Sequence, residues 1–267
     1  MRDYWGNPVL VAFFASLLLS LIATFGAVTI GKDAALYLDT ARTFTESGMV
    51  AAFQQFNWPW FSVLLGVLHQ LTHIPLEPLA YGVCALFMAG TCALLVKLAA
   101  EKVPGLGWWA CLVVLAVPAF NDFRGQILRE FGYWFFCILA LTAALAWDEK
   151  STWLRAGFVY ASIFLAALFR LEALFLVIAI CFWQLTEIRH RSDMGRALQI
   201  LSLPLFGVML IGLLSIFTAD SIDADRVEKF LVYVHPGAAI QSFQELSSQF
   251  ADSMKYRYSR QLSDAVR

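Results

Sequence analysis

The chain reads as an all-α, polytopic transmembrane helical bundle, and three observations predict it. Hydrophobic residues fill 60% of the 267 positions and charged residues only 15%, against roughly 25% charged in a soluble domain. The mean hydropathy is +0.68, so lipid must be the solvent for most of the surface. The apolar residues also come in continuous runs rather than strict alternation. Hydrocarbon admits only helices and closed barrels, and continuous runs select helices.

The runs cover residues 9–30, 58–74, 77–99, 107–120, 131–147, 156–169, 171–186 and 198–217. A crossing helix needs about 20 residues at about 1.5 Å each. The first run is too long for a signal-peptide core and lacks a small-residue cleavage site, so it is a retained span. Run 58–74 is short, holds Pro59, His69, Gln70 and His73, and is followed by Pro75 and Pro78. It is expected to dip into the interface and return. Residues 156–186 are interrupted only by Arg170-Leu171-Glu172, which predicts a hairpin with that triplet at its tip.

Positive charge orients the bundle. Lys97 with Lys102, Lys150 with Arg155, and Arg189 with Arg191 and Arg196 mark three cytoplasmic loops. Residues 31–57, 121–130 and the 170–172 tip then fall on the external side. If 58–74 crosses instead, the N-terminus is external. The expected organisation is a transmembrane domain over 1–217, with an amphipathic helix in the external loop 31–57, and a polar external segment over 218–267. The chain stops inside that segment without a closing span, so it is expected to be the N-terminal part of a longer protein.

A net charge of −1 leaves no footprint for nucleic acid. Cys84, Cys92, Cys111, Cys137 and Cys181 all lie in apolar runs, with no Cys-x-x-Cys pair, and read as small buried hydrophobes. Asp220, Asp223 and Asp225 contain an Asp-x-Asp, but they open a polar helical stretch and suit capping better than a divalent cation. His69 and His73 share a helix face without a third ligand. Trp5, Trp58, Trp60, Trp108, Trp109, Trp147 and Trp153 sit at segment ends, as an interfacial belt would.

The most informative stretch follows the first span. In a helix over 33–48, Asp33, Tyr37, Ala41, Phe44 and Gly48 share one face, while Asp39, Arg42 and Glu46 form an opposite, charge-paired face. Such a helix suits the membrane surface. Asp33 opens the apolar face. It reads either as a helix cap or as a base at the membrane boundary.

The ordered pattern Asp33-x3-Tyr37-x3-Ala41-x6-Gly48 followed by Trp58-Pro59-Trp60-Phe61, with the polar tip 121–130 and the Arg170-Leu171-Glu172 hairpin, resembles the GT-C glycosyltransferases. More narrowly it is similar to the protein O-mannosyltransferase and aminoarabinose transferase type, including bacterial lipopolysaccharide sugar transferases. The resemblance extends over residues 9 to about 217. Many members carry a second acidic residue where this chain has Ala34.

The resemblance implies transfer of a sugar from a polyprenyl-phosphate donor to a glycan, lipid or protein acceptor at the external face of a bacterial inner membrane. It implies Asp33 as general base and Tyr37 as a substrate contact. The leaving group would be a phosphate, so cations should face it. Arg124, Arg129 and Arg170 are the candidates at the external boundary, with Glu172 beside them. The bland alternatives are that Arg124 and Arg129 flank a span, and that Arg170 and Glu172 merely neutralise each other. No cofactor is implied. A competing expectation is a non-catalytic or truncated membrane protein, such as a transporter-like bundle, although that should place ionisable residues in mid-membrane on several helices.

Overall fold

The computed structural model describes residues 6–26, 30–191 and the single positions 195, 199, 202 and 205. The expected span 198–217, the polar segment 218–267 with its three aspartates, and Trp5 lie outside a continuous description. Among the described residues all regular structure is helical, with no strand.

Helix α1, Pro8–Phe25, starts where the Asn7 side chain accepts a hydrogen bond from the Val9 amide at 2.9 Å, with Pro8 in the first turn where no amide is needed. Its inward stripe is Ala12, Ser16 and Ser20, and Leu10, Phe14, Leu18 and Ile22 face outward. Small residues inside and large apolar ones outside are the pattern of a helix packed in a bundle and bathed in lipid. Among the described residues three helices are long and apolar enough to cross a membrane: α1, α4 (Leu76–Lys102) and α7 (Glu130–Glu149).

Between α1 and α4 lie α2, Lys32–Gln55, and α3, Trp60–Thr72. The 13 residues of α3 reach about 20 Å, short of a bilayer core. Gly66 lets the two helices touch: a Cβ there would stand 2.5 Å from the Phe44 ring and 3.2 Å from the Ala41 carbonyl oxygen.

The expected single span over 107–120 is corrected. Helix α5, Gly107–Ala116, stops after 10 residues, and α6 restarts at Pro118 and runs to Phe123. Pro118 has no amide to give and pushes Val117 to ψ 115. The Asn121 side-chain amide takes up the freed Leu115 carbonyl at 3.1 Å.

Helix α8, Trp153–Phe169, is capped by Thr152 and packs on α7 along a seam of Ala140, Ala143 and Ala144 against Ala156, Val159 and Ile163. The helix breaks at Arg170, passes through a 3-10 turn, Leu171–Ala173, and resumes as α9, Leu174–Arg191. The hairpin expected from the sequence is therefore present, with Arg170 and Glu172 in its break. Trp147 is corrected: it is 0% exposed and donates to the Gln199 side chain at 2.7 Å instead of joining an interfacial belt. Trp109 and Trp153 are exposed as a belt requires.

Contacts sort the helix termini into two ends. At one, Gly125 abuts the Ala23 carbonyl and Arg170 bonds Glu130. At the other, Gly107 packs on Pro8 and Ala100, and Lys102 pairs with Glu149 at 3.4 Å. Helix α4 runs from the first end, where Cys84 reaches the Leu128 carbonyl, past Cys92 beside Ser16, to the second. The α2–α3 pair begins and finishes at the first end, so it makes no net passage between the two ends.

Candidate functional site

Asp33 stands in the first turn of α2, whose N-cap, Gly31, supplies no side-chain partner. Its negative charge is favoured there by the unpaired amides of the helix start. The following residues turn inward: Ala34, Tyr37, Leu38, Thr40 and Ala41 are buried while Asp33, Asp39 and Arg42 are exposed. The face expected from the spacing is formed through Tyr37, Ala41 and the half-buried Phe44, with Asp33 at its exposed start; Gly48, expected on the same face, is exposed and breaks the helix at φ 84. With Gly31, Lys32, Ala34 and residues 126–128 it lines a half-open pocket of about 160 Å³.

Tyr37 sits one turn deeper, edge-on to Phe61 at 5.4 Å and tilted against Phe56 at 5.9 Å. Burial pushes its hydroxyl up to about 12, with Arg129, Glu130, Asp33 and Arg170 all acting on it electrostatically. Burial therefore favours its neutral phenol form.

Around it lies an ion cluster. Arg170 donates to Glu130 at 3.0 Å and to Glu172 at 2.7 Å. The hydrogen bond from Arg170 holds the Glu172 carboxyl below its usual range, and that same bond raises Arg170. Arg129 lies over the Phe56 ring, 5.6 Å from its centroid, in cation–π geometry. Arg129 Nε and Glu130 Oε2 are buried without a hydrogen-bond partner.

Of the residues expected to bind substrate, Tyr37, Arg129, Arg170 and Glu172 are brought together beside Asp33. Arg124 is not. Its guanidinium is 4% exposed and points into the bundle, donating to the Ser16 carbonyl and hydroxyl at 3.0 and 2.8 Å, Ser20 Oγ at 3.1 Å and Asn121 Oδ1 at 2.8 Å. It is a staple between α1 and the 121–125 segment, because those acceptors fill its fork. The member that sequence reasoning missed is Glu130. Its signal was available: an Arg-Glu pair at the mouth of an apolar run, level with a second Arg-x-Glu.

Trp58 fixes the entrance to α3 by donating from Nε1 to the Ala167 carbonyl at 3.1 Å, and Trp60 packs on Phe53. His69 and His73 serve local structure. His69 Nδ1 meets the Ile74 carbonyl at 2.6 Å, and His73 ends α3 at φ 58. Among the described residues no cluster of three or more His, Cys, Asp or Glu could hold a metal ion, and all five cysteines are free thiols. No protein-family model, curated protein or solved structure matches this chain.

Proposed function

We propose that the protein is a membrane glycosyltransferase that moves a sugar from a polyprenyl-phosphate donor to a glycan, lipid or protein acceptor at the external face of a bacterial inner membrane. The observation that carries this reading is the grouping, at one end of the helices, of an exposed carboxylate on a pocket lip with Arg129 and Arg170 around a common tyrosine. The resemblance of Asp33-x3-Tyr37 and Trp58-Pro59-Trp60 to the GT-C pattern adds the substrate class.

In this mechanism an acceptor hydroxyl enters the pocket beside Asp33. Its oxygen attacks the anomeric carbon and its proton passes to the Asp33 carboxylate. The bond from the anomeric carbon to the phosphate oxygen breaks, and the polyprenyl phosphate leaves with the electron pair. Arg129 and Arg170 face the charge that grows on that phosphate. The carboxylate also stabilises positive charge on the sugar ring in the transition state. External placement follows from the basic loops carrying Lys97, Lys102, Lys150 and Arg155 at the opposite end of the bundle.

The test is Asp33→Asn in membranes supplied with a polyprenyl-phosphate sugar. Transfer is expected to fall by about 10²–10⁴-fold, the usual contribution of a general base, while membrane insertion and folding stay intact. Full transfer by this variant would overturn the role.

A transporter-like bundle is the second reading. It is favoured by one observation, the Arg124 guanidinium buried beside mid-helix Ser16 and Cys92. Substrate uptake into proteoliposomes that depends on Arg124 would establish it.

A further inference from the structure

We propose that the acceptor is a saccharide, and that Gln126 reads a second hydroxyl of the ring whose first hydroxyl Asp33 deprotonates. This rests on the glycosyl-transfer reading and chooses among its three acceptor classes.

The pocket beside Asp33 is built from two segments distant in the chain. Residues 31–34 supply one side and residues 126–128 the other. Both are anchored. Ala34 is buried at the start of α2. The second segment and its approach are tied to the bundle at almost every step. Arg124 donates to Ser16 and Ser20, and a Cβ on Gly125 would stand 2.9 Å from the Ala23 carbonyl oxygen. Ile127 is 1% exposed, and the Cys84 thiol donates to the Leu128 carbonyl. The Arg124 staple thus helps to set where Gln126 stands relative to Asp33.

Volume limits what can enter. A cavity of about 150 Å³ holds one benzene, so this pocket of about 160 Å³ has room for a single six-membered ring. A ring that fills it meets both segments at once, and the open side leaves its outer substituents in solvent. The polar groups suit a polyol. Asp33 accepts a proton, Lys32 only donates, and the Gln126 carboxamide both donates and accepts. Among the described residues the exposed Gln126 side chain has no hydrogen-bond partner, so it is available to the ring. The half-buried Leu128 adds apolar surface for ring C–H groups. A serine side chain or a lipid alcohol brings one hydroxyl, which occupies Asp33 and leaves Gln126 unused. A sugar brings hydroxyls on adjacent carbons and engages both.

The experiment uses the full chain in phosphatidylethanolamine–phosphatidylglycerol liposomes, with polyprenyl-phosphate donors carrying a hexose or a pentose. The acceptor probes are methyl glucoside and methyl galactoside with their monodeoxy analogues, a short serine-containing peptide, and diacylglycerol. Transfer is expected to a glycoside in preference to the peptide and diacylglycerol. At least one monodeoxy analogue should show an acceptor KM about tenfold higher, the worth of one hydrogen bond. Gln126→Ala should raise the KM for the parent glycoside by a similar factor, leave the donor KM unchanged, and remove the penalty on that analogue. Preference for the peptide or diacylglycerol, no deoxy penalty, or a penalty that persists in Gln126→Ala would overturn the subsite and leave glycosyl transfer standing. Transfer to none of the acceptors would overturn the transfer reading along with it.

Discussion

At one end of the bundle Lys97 meets Glu101 at 3.8 Å and Lys102 meets Glu149 at 3.4 Å, with all four side chains about half exposed. At the other end Arg170 is gripped by two carboxylates at 3.0 and 2.7 Å, Arg129 lies on an aromatic ring, and two polar atoms are buried without partners. The exposed pairs are screened by water and hold little energy. The half-buried cluster works in a lower dielectric, where each hydrogen bond gained or lost matters more. A protein that needed charge only for solubility would have two ends of the first kind. This one concentrates partly satisfied polar groups where the pocket lies, which is where recognition and chemistry are expected.

Substitutions can rank the two ends against the interior that joins them. The largest loss of stability is expected for Arg124→Met, which takes the guanidinium away from the buried Ser16 and Ser20 hydroxyls. About 2–4 kcal/mol should be lost, by the cost of unsatisfied buried groups, read as a lowered unfolding midpoint in detergent. Next comes Gly132→Ala near the ion cluster. Its Cβ would stand 2.2 Å from the Phe169 ring, and a ring hemmed in by Phe61, Phe87 and Phe136 yields only at an overpacking cost of about 1–3 kcal/mol. The smallest effect belongs to Lys102→Gln at the opposite end, under about 1 kcal/mol as for other exposed pairs. A Lys102 effect as large as that of Gly132→Ala would erase the contrast between the ends.

Much of this architecture is legible in the sequence, and the gaps have physical causes. The runs that became α1, α4 and α7 are long and apolar, and the break at Arg170 is announced by two charges inside hydrocarbon-compatible sequence. The inward face of α2 follows from the spacing of Tyr37 and Ala41. Gly48 is different. Helical spacing makes it the next member of that face, but its positive φ is a torsional fact that no periodicity carries, and the chain turns back there. Pro118 breaks the helix inside run 107–120, where the continuous apolar character by itself predicts one span. Arg124 and Arg129 look alike at a span edge, and only the distant partners Ser16 and Ser20 separate a staple from a site residue. Asp33 beside residues 126–128 likewise depends on tertiary packing between segments far apart in the chain.

Phe169 has a consequence beyond packing. It is the last residue of α8, it touches Phe61, Phe87 and Phe136, and the next residue is Arg170. A slide of α8 along its axis would break the Arg170–Glu130 bond and unstack three rings in the same motion. Aromatic core and ion cluster therefore fail together or not at all. The end of α8 thus ties the aromatic core to the ion cluster through one pair of neighbouring residues.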